Sequence, residues 1–313
     1  MNDILSLPLD ASSHGFHIDQ MIVILHWLMA ILFVIWASYF VYALFRFRRK
    51  KNPTADYVGV KTHASSYLEV AVAIFEGILL VGFAIPVWSG VVSAFPEEDD
   101  ALVVHVVAEQ FAWNVHYPGK DGKFGKTEIS LVTAENPLGL DREDEDAKDD
   151  IATINQLTLP VNRDILVYLN SKDVIHSFGI PLLRVKQDVI PGQRIPVWFR
   201  ATMTNDQVRE KFSKRFVLAE QGVVDELTKL VSSNDYHSSD GSVVVAKGDL
   251  FTEESIQALK DTGITEVMAT QDTPMEIACA QLCGLGHYRM RGTVTIMSAE
   301  AYQAWLDEEA SYL

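Results

Sequence analysis

Cysteine is scarce in this chain, which contains only two among its 313 residues. Neither belongs to a Cys-x-x-Cys-His motif, so a c-type haem attached to this chain is excluded. The two residues are Cys279 and Cys283, close together near the C-terminus. A disulfide between them would close too short a loop to stabilise the fold much. The pair is therefore a candidate for other chemistry.

Basic residues are also in the minority, because 26 Lys and Arg stand against 42 Asp and Glu, a formal charge of -16. Residues 1–96 hold six basic and six acidic residues, so residues 97–313 hold the remaining 20 and 36 (26 − 6 and 42 − 6). The acidic excess belongs entirely to the second part. It argues against nucleic acid as a partner and favours basic partners that approach an acidic surface.

Charge is missing altogether from residues 21–45, which contain no Asp, Glu, Lys or Arg. Twenty-five residues are long enough to cross about 30 Å of hydrocarbon as a helix. A second apolar run, residues 67–92, is interrupted only by Glu69 and Glu76. We therefore expect a membrane hairpin with spans at about 21–45 and 67–92, joined by a loop over residues 46–66.

Basic residues around these spans predict the orientation of the hairpin. Residues 1–20 contain no Lys or Arg, whereas residues 46–51 contain five. By the positive-inside rule the loop over 46–66 is cytoplasmic, and residues 1–20 and everything after residue 92 are extracytoplasmic. A signal peptide carries its basic residues before the apolar run, so we expect the first span to be retained.

The part of the chain after residue 96 alternates short strand-like runs with turn residues. Residues 97–200 and 274–298 are expected to form one β sandwich or barrel. Residues 201–273 interrupt this pattern and are predicted to be an inserted helical segment. We expect helices over residues 205–231 and 252–261, the second with Thr252 as its N-cap. Residues 299–313 are assigned to a C-terminal tail.

A metal site is predicted where four ligand-type side chains fall within twelve residues: Cys279, Cys283, His287 and Met290. Two thiolates, an imidazole and a thioether suit copper far better than magnesium, calcium or haem. His176, which follows a strand-like run, adds a second imidazole. Zinc remains the alternative metal, although structural zinc sites use no thioether. On that reading the protein is a membrane-anchored, zinc-stabilised assembly or binding module without a redox role.

Three segments together resemble subunit II of the haem-copper cytochrome c oxidases: residues 173–181, residues 186–192 and the loop over 279–290. The resemblance covers residues 20–200 and 274–298. It implies a two-helix transmembrane hairpin followed by an all-β, cupredoxin-like domain, a Greek-key sandwich or barrel with a helical insertion.

The resemblance also implies a metal centre, the dinuclear copper site called CuA. In that family two thiolates bridge the copper ions, two imidazoles are terminal ligands, and a thioether and a backbone carbonyl complete the set. The implied ligands here are His176, Cys279, Gln281 through its carbonyl, Cys283, His287 and Met290. Many relatives have Glu where Gln281 stands, and its carboxylate reaches a magnesium ion shared with subunit I. A neutral amide offers such an ion less charge, so magnesium is in doubt here.

As a function, the resemblance implies an aerobic respiratory cytochrome c oxidase that translocates protons. This chain would accept electrons from a separate c-type cytochrome and relay them to haem in subunit I. Subunit I, with its haem and CuB, would reduce O2 to water, and subunit III would join the complex. The implied location is the bacterial inner membrane, with the copper domain on the periplasmic side.

Three further positions receive roles from the same resemblance. Phe111 and Trp113 match the aromatic patch where cytochrome c delivers electrons, although both rings equally suit simple core packing. Glu69 matches the position that feeds a proton pathway into the partner subunit. Carboxylates within a span are costly and usually face protein or water, which is consistent with a role for Glu69.

Overall fold

The computed structural model describes residues 5–54, 57–58 and 61–312. Outside the described residues lie parts of three predicted segments: residues 1–4 of the N-terminal segment, residues 55, 56, 59 and 60 of the loop, and residue 313 of the tail. The chain divides into two compact units. One unit comprises Met1–Leu9 and His14–Phe95, and the other comprises Asp10–Ser13 and Pro96–Leu313.

The first unit contains the two apolar helices. Helix α1 spans Gly15–Arg46, and the second helix runs from α2 (Ala64–Leu79) through a π-helical turn (Leu80–Ala84) into α3 (Ile85–Val92). Both are long and apolar enough to cross a membrane, with peak mean hydropathies of 2.3 and 2.4. The π turn ends two residues before Pro86, which lacks the backbone N–H that a regular α-helix needs at that point. Both predicted spans are therefore helical, and each helix begins a few residues earlier than predicted.

The second unit is built on two five-stranded sheets, with strand orders β3-β2-β1-β5-β8 and β4-β15-β14-β6-β7. The strands of these sheets are β1 Leu102–Glu109, β2 Ala112–Tyr117, β3 Ile151–Ile154, β4 Gln156–Pro160, β5 Asp164–Ser171, β6 His176–Ile180, β7 Val185–Val189, β8 Ile195–Arg200, β14 Glu276–Cys279 and β15 Arg291–Met297. Neighbouring strands are antiparallel except β1 with β5 and β4 with β15. The all-β, cupredoxin-like fold predicted from the sequence is confirmed.

The core lies between the two sheets. Along β1 every second residue is buried, as the period of a strand with one face inward requires. Trp113 from the first sheet and Phe178 from the second meet edge to face, with ring centroids 5.6 Å apart. Neither side chain is exposed to solvent. Phe178 lies two residues after His176 on β6 and pairs with Cys279 of β14. The core therefore extends to the strand ends that carry His176 and Cys279.

The inserted segment forms a small subdomain with helices and strands. Its helices are α4 (Asn205–Phe212), α5 (Val223–Leu227) and α6 (Glu253–Asp261). Its strands are β9 Lys214–Val217, β10 Val231–Ser232, β11 Tyr236–His237, β12 Val243–Val245 and β13 Glu266–Thr270, in sheets of order β10-β13-β9 and β11-β12. A separate cluster of buried apolar side chains, which includes Leu227, Phe251 and Leu259, holds it together. The predicted N-cap of α6 is confirmed, because the Thr252 side chain accepts a hydrogen bond from the backbone of Ser255.

The helix predicted over residues 205–231 is wrong. The chain leaves the helical conformation at Ser213 and forms β9, which pairs antiparallel with β13. Phe216 packs against the apolar cluster of the subdomain from this strand. The hydrogen-bond partners of β9 come about fifty residues later in the chain (Val217 pairs with Glu266). Such a distant partner leaves no trace in local periodicity.

The predicted C-terminal tail is instead a packed helix, α7, over Ala299–Ala310. Ser298 caps it by accepting a hydrogen bond from the backbone N–H of Ala301 at 3.1 Å. Trp305 packs edge to face on Tyr117 of β2, with ring centroids 5.1 Å apart. The helix therefore belongs to the core of the second unit.

Candidate metal centre

Two paired strands bring the predicted ligands to one edge of a sheet. His176 opens β6, and Cys279 ends β14. The strands are antiparallel, with Cys279 opposite Phe178. His176 and Cys279, which lie 103 positions apart in the sequence, therefore become neighbours. A loop then runs from Cys279 to Met290, where β15 begins and pairs back with β14. The sheet thus holds both ends of the loop.

The two thiols form the middle of the cluster. The Sγ atoms of Cys279 and Cys283 lie 3.7 Å apart. Each thiol has an imidazole of its own: Nδ1 of His176 lies 3.9 Å from Cys279 Sγ, and Nδ1 of His287 lies 3.6 Å from Cys283 Sγ. The ligand atoms of His176, Cys279 and Cys283 all lie within 4.8 Å of one another, a group able to hold a metal ion.

Two further groups complete the cluster. The thioether sulfur of Met290 lies 3.7 Å from Cys283 Sγ, and the backbone carbonyl oxygen of Gln281 lies 3.2 Å from Cys279 Sγ. The Gln281 side chain points outward and is exposed. The structure therefore brings all six predicted ligand groups, the two thiols included, together in one cluster.

The cluster is largely shielded from water. His176 and Met290 are fully buried, and Cys279 and Cys283 are 9% and 3% exposed. Both cysteines are free thiols. Burial, and after it the adjacent Cys279 thiol, together raise the pKa of the Cys283 thiol to about 11. Without a metal the Cys283 thiol therefore keeps its proton at neutral pH, and a bound cation must displace it.

Asp173 orients one of the imidazoles, and sequence reasoning missed this role. Its Oδ1 lies 2.9 Å from Nε2 of His176. Because a carboxylate only accepts, Nε2 carries the ring proton and Nδ1 turns its lone pair toward Cys279. Partial burial raises the pKa of Asp173, but hydrogen bonds from His176 and from the backbone of Gln110 and Val174 outweigh it and lower that pKa overall. The sequence signal for this role was a carboxylate three residues before the candidate ligand His176.

Gln110 is a second residue that sequence reasoning left without a role. Its side-chain Nε2 donates a hydrogen bond of 2.6 Å to the carbonyl oxygen of Cys283. Its backbone N–H donates to Oδ2 of Asp173 at 2.7 Å. Nothing in the local sequence indicates these contacts, because the partners lie 173 and 63 residues away.

Both candidate electron-entry rings lie against the cluster. Trp113 is fully buried, with its ring centroid 6.1 Å from that of His176. Phe111 is half-buried and lies on the ligand loop, so closely that a Cβ atom on Gly286 would come within 2.4 Å of its ring. Glu69, in contrast, belongs to the other compact unit and is exposed on α2.

Comparisons with known proteins find relatives along most of the chain. The alternative cytochrome c oxidase subunit 2 of Bradyrhizobium diazoefficiens is 25% identical over 297 residues, which cover 95% of this chain and 81% of that protein. Cytochrome c oxidase subunit 2 of Cereibacter sphaeroides is 25% identical over 303 residues, which cover 91% of this chain and 75% of that protein. Among solved structures, the periplasmic domain of subunit II of cytochrome oxidase from Bradyrhizobium japonicum aligns with a TM-score of 0.35 and 19% identity, over 69% of this chain and 97% of that one.

A family profile gives the assignment within the second unit. The profile, described as cytochrome c oxidase subunit II, periplasmic domain, matches residues 102–207. These residues run from β1 into α4 and include His176. The profile and the two relatives above carry the same description, cytochrome c oxidase subunit II. The chain is thus similar to cytochrome c oxidase subunit II along most of its length, and residues 102–207 match the periplasmic domain of that family.

Proposed function

We propose that this chain is the electron-transfer subunit of an aerobic, proton-translocating cytochrome c oxidase. It accepts electrons from a c-type cytochrome and passes them to haem in subunit I, where O2 is reduced to water. One observation carries the proposal: two free, buried thiols lie 3.7 Å apart, and each has an imidazole nitrogen within 3.9 Å.

The donor set fits two copper ions better than one zinc ion. A structural zinc ion takes four ligands in a tetrahedron, usually thiolates and imidazoles. Six groups form the cluster here, the two thiols and four groups around them, and one of the four is a thioether, a soft ligand that favours copper. We therefore assign His176, Cys279, Gln281, Cys283, His287 and Met290 as ligands of a dinuclear copper centre.

When bound, such a centre would supply one-electron transfer, and Cys279 and Cys283 would hold it from the middle of the cluster. The chain contributes the rigidity that fast transfer requires. Cys279 and Met290 stand at the ends of two paired strands, and the backbone N–H of Cys279 donates to the carbonyl of Met290 at 3.2 Å. His176 is fixed by β6 and by the carboxylate of Asp173. Burial of these groups keeps water from the thiol pair.

Phe111 and Trp113 are proposed as the route by which electrons enter. Trp113 touches the ring of His176, and the half-buried Phe111 lies above the ligand loop on the solvent side. An aromatic path from the surface to a ligand would shorten the gap between donor and metal. Packing alone remains the competing explanation for Trp113, which is fully buried.

The location we propose is the bacterial inner membrane, with the second unit on the periplasmic side. Two helices long and apolar enough to span a membrane support this location, because two crossings return the chain to the side from which it started. Consistent with this, Ala11, just before α1, donates to the carbonyl of Leu182 at 2.8 Å and accepts from Thr202 at 2.8 Å. Residues 10–13, which precede α1, are themselves part of the second unit.

The remaining partners follow from the family. We propose subunits I and III as membrane partners, and Glu69 on α2 as part of a proton pathway into subunit I. A magnesium ion shared with subunit I would meet an amide rather than a carboxylate at Gln281. That neutral amide would attract a magnesium ion less strongly than a carboxylate would.

Copper content and the EPR spectrum of the full chain in detergent test the proposal. We expect two coppers per chain and hyperfine structure from one unpaired electron shared by both nuclei. Cys283→Ser should abolish this shared-spin signal, because it removes one of the two bridging thiolates. Stoichiometric zinc without a shared-spin copper signal would replace the electron-transfer function by a zinc-stabilised membrane-anchored module.

A further inference from the structure

We propose that Gln110 is a positioning residue of the metal centre. Its side chain and backbone together fix the loop that carries Cys283 against the segment that carries His176. The inference deepens the proposed function and rests on it for the identity of the metal. The contacts themselves belong to the polypeptide alone.

Three hydrogen bonds connect the two ligand segments through Gln110. Its Nε2 donates to the carbonyl oxygen of Cys283 at 2.6 Å, and its backbone N–H donates to Oδ2 of Asp173 at 2.7 Å. The other carboxylate oxygen of Asp173 holds Nε2 of His176 at 2.9 Å. A displacement of Gln110 would therefore change the position of Cys283 relative to His176.

The loop has few other anchors near Cys283. The two leucines that flank this part of the loop do not pack inward, since Leu282 is 79% and Leu285 is 97% exposed. The sheet holds the loop only at its ends, where Ala280 donates to the carbonyl of Ser177 at 3.0 Å and Cys279 pairs with Met290. The middle of the loop has a turn of its own, in which the backbone N–H of His287 donates to the carbonyl of Gly284 at 3.1 Å. Contacts from outside the loop are what fix this turn against the rest of the unit.

Gln110 supplies such a contact at the bend that follows Cys283. Gly284 has φ +129°, a conformation that side-chain-bearing residues rarely adopt. A Cβ atom on Gly284 would come within 2.7 Å of Gln110 Nε2 and 3.3 Å of the Phe111 ring. The loop backbone and Gln110 are thus in direct contact, with no room for a side chain between them.

The location of Gln110 makes it suitable for substitution. Its side chain is exposed, so replacement by Met removes the hydrogen-bond donor without opening a cavity in the core. Groups that hydrogen-bond to metal ligands typically change metal affinity about 10- to 100-fold when removed. We expect Gln110→Met to weaken copper binding within that range and to change the reduction potential and the copper hyperfine splitting.

The matched control is Gln257→Met in α6, which removes a hydrogen bond of 2.8 Å to Asp261 in the inserted subdomain. Both variants are prepared as full chains in detergent and compared with the wild type by thermal unfolding. Copper affinity, potential and EPR spectrum are measured on loaded protein. The rate at which a thiol reagent labels the cysteines is measured on metal-free protein.

We expect Gln110→Met alone to lose copper affinity, to shift the potential and spectrum, and to label faster without metal. Labelling and copper affinity equal to those of the wild type would overturn the inference. A wild-type chain that binds zinc instead of two coppers would contradict the proposed function. In that case the labelling rates of the metal-free proteins still decide the role of Gln110.

Discussion

At the residue scale, Trp113 joins the core to the metal centre. It is fully buried and contacts both Phe178 and His176 edge to face. Trp113→Ala should lower the free energy of unfolding by about 3–5 kcal/mol, because it leaves a large cavity between the sheets. Trp113→Phe should retain most of that stability.

The two substitutions separate packing from electron transfer. Stopped-flow reduction by a c-type cytochrome, measured on the stable Trp113→Phe variant, tests the proposed entry route. A rate equal to that of the wild type would assign Trp113 to packing alone. If denaturant unfolding showed the alanine variant to be as stable as the wild type, the placement of Trp113 in the core would be contradicted.

His105 on β1 predicts a pH dependence of stability. Its ring stacks on Phe124 at a centroid distance of 3.7 Å, and Arg194 approaches its Nε2 at 3.1 Å. Burial first, and then the charges of His116 and Arg194, lower the pKa of His105 from its ordinary value of 6.5 to about 3. Below pH 6.5 the unfolded chain binds a proton that the folded chain does not. Stability should therefore fall as pH drops from 6.5 toward 3.

The slope of that loss is at most about 1.4 kcal/mol per pH unit for a single proton. His105→Gln removes the titration and keeps a polar group for Arg194. Thermal unfolding at pH 7 and pH 5 should show a smaller loss of stability in the variant than in the wild type. An equal loss in both proteins would show that other groups dominate this pH range.

At the scale of elements, the inserted subdomain should be able to unfold without the metal centre. Its apolar cluster includes Phe251, which is 1% exposed, and none of the proposed metal ligands. Phe251→Ala should destabilise the subdomain by about 3–5 kcal/mol. Limited proteolysis should then cut within residues 201–273 while the copper EPR signal is retained.

The neighbouring residue provides the control. Leu250 is 55% exposed, so Leu250→Ala should leave the proteolysis pattern unchanged. Loss of the copper signal together with the subdomain would show instead that the two parts unfold cooperatively. Such coupling would run through Asn205, whose side chain hydrogen-bonds to the backbone of Val294 and Ile296 in β15.

At the scale of the whole molecule, charge is the dominant feature. The 20 basic and 36 acidic residues of residues 97–313 give this part the entire net charge of -16. A basic cytochrome should therefore be steered toward it over long distances. The association rate should fall about tenfold or more from low salt to 0.5 M salt, because the Debye length shrinks to a few ångströms.

Stopped-flow association at several ionic strengths checks this prediction. A matched measurement with an uncharged small-molecule reductant should show little dependence on salt. A cytochrome rate that is constant or rises with salt would exclude steering by the acidic surface.

The candidate ligands that the resemblance implies lie together in the structure, but the resemblance did not indicate the residues that support them. Cys279, Cys283, His287 and Met290 fall in one loop, so their spacing is visible in the sequence. Asp173 and Gln110 act through partners that only the pairing of β1, β5 and β6 with their neighbours brings near. The helix predicted over residues 205–231 failed for the same reason, since β9 depends on β13.

The sequence by itself determined the two apolar spans, the strand-rich second unit and the identity of the candidate ligands. Each of these is a property of contiguous residues, such as hydropathy, alternation or spacing. Only the tertiary structure decided that His176 meets Cys279, that Gln110 bridges the ligand segments and that residues 299–310 pack as a helix. These contacts depend on strand register and packing between distant segments, and they form only when the whole core does.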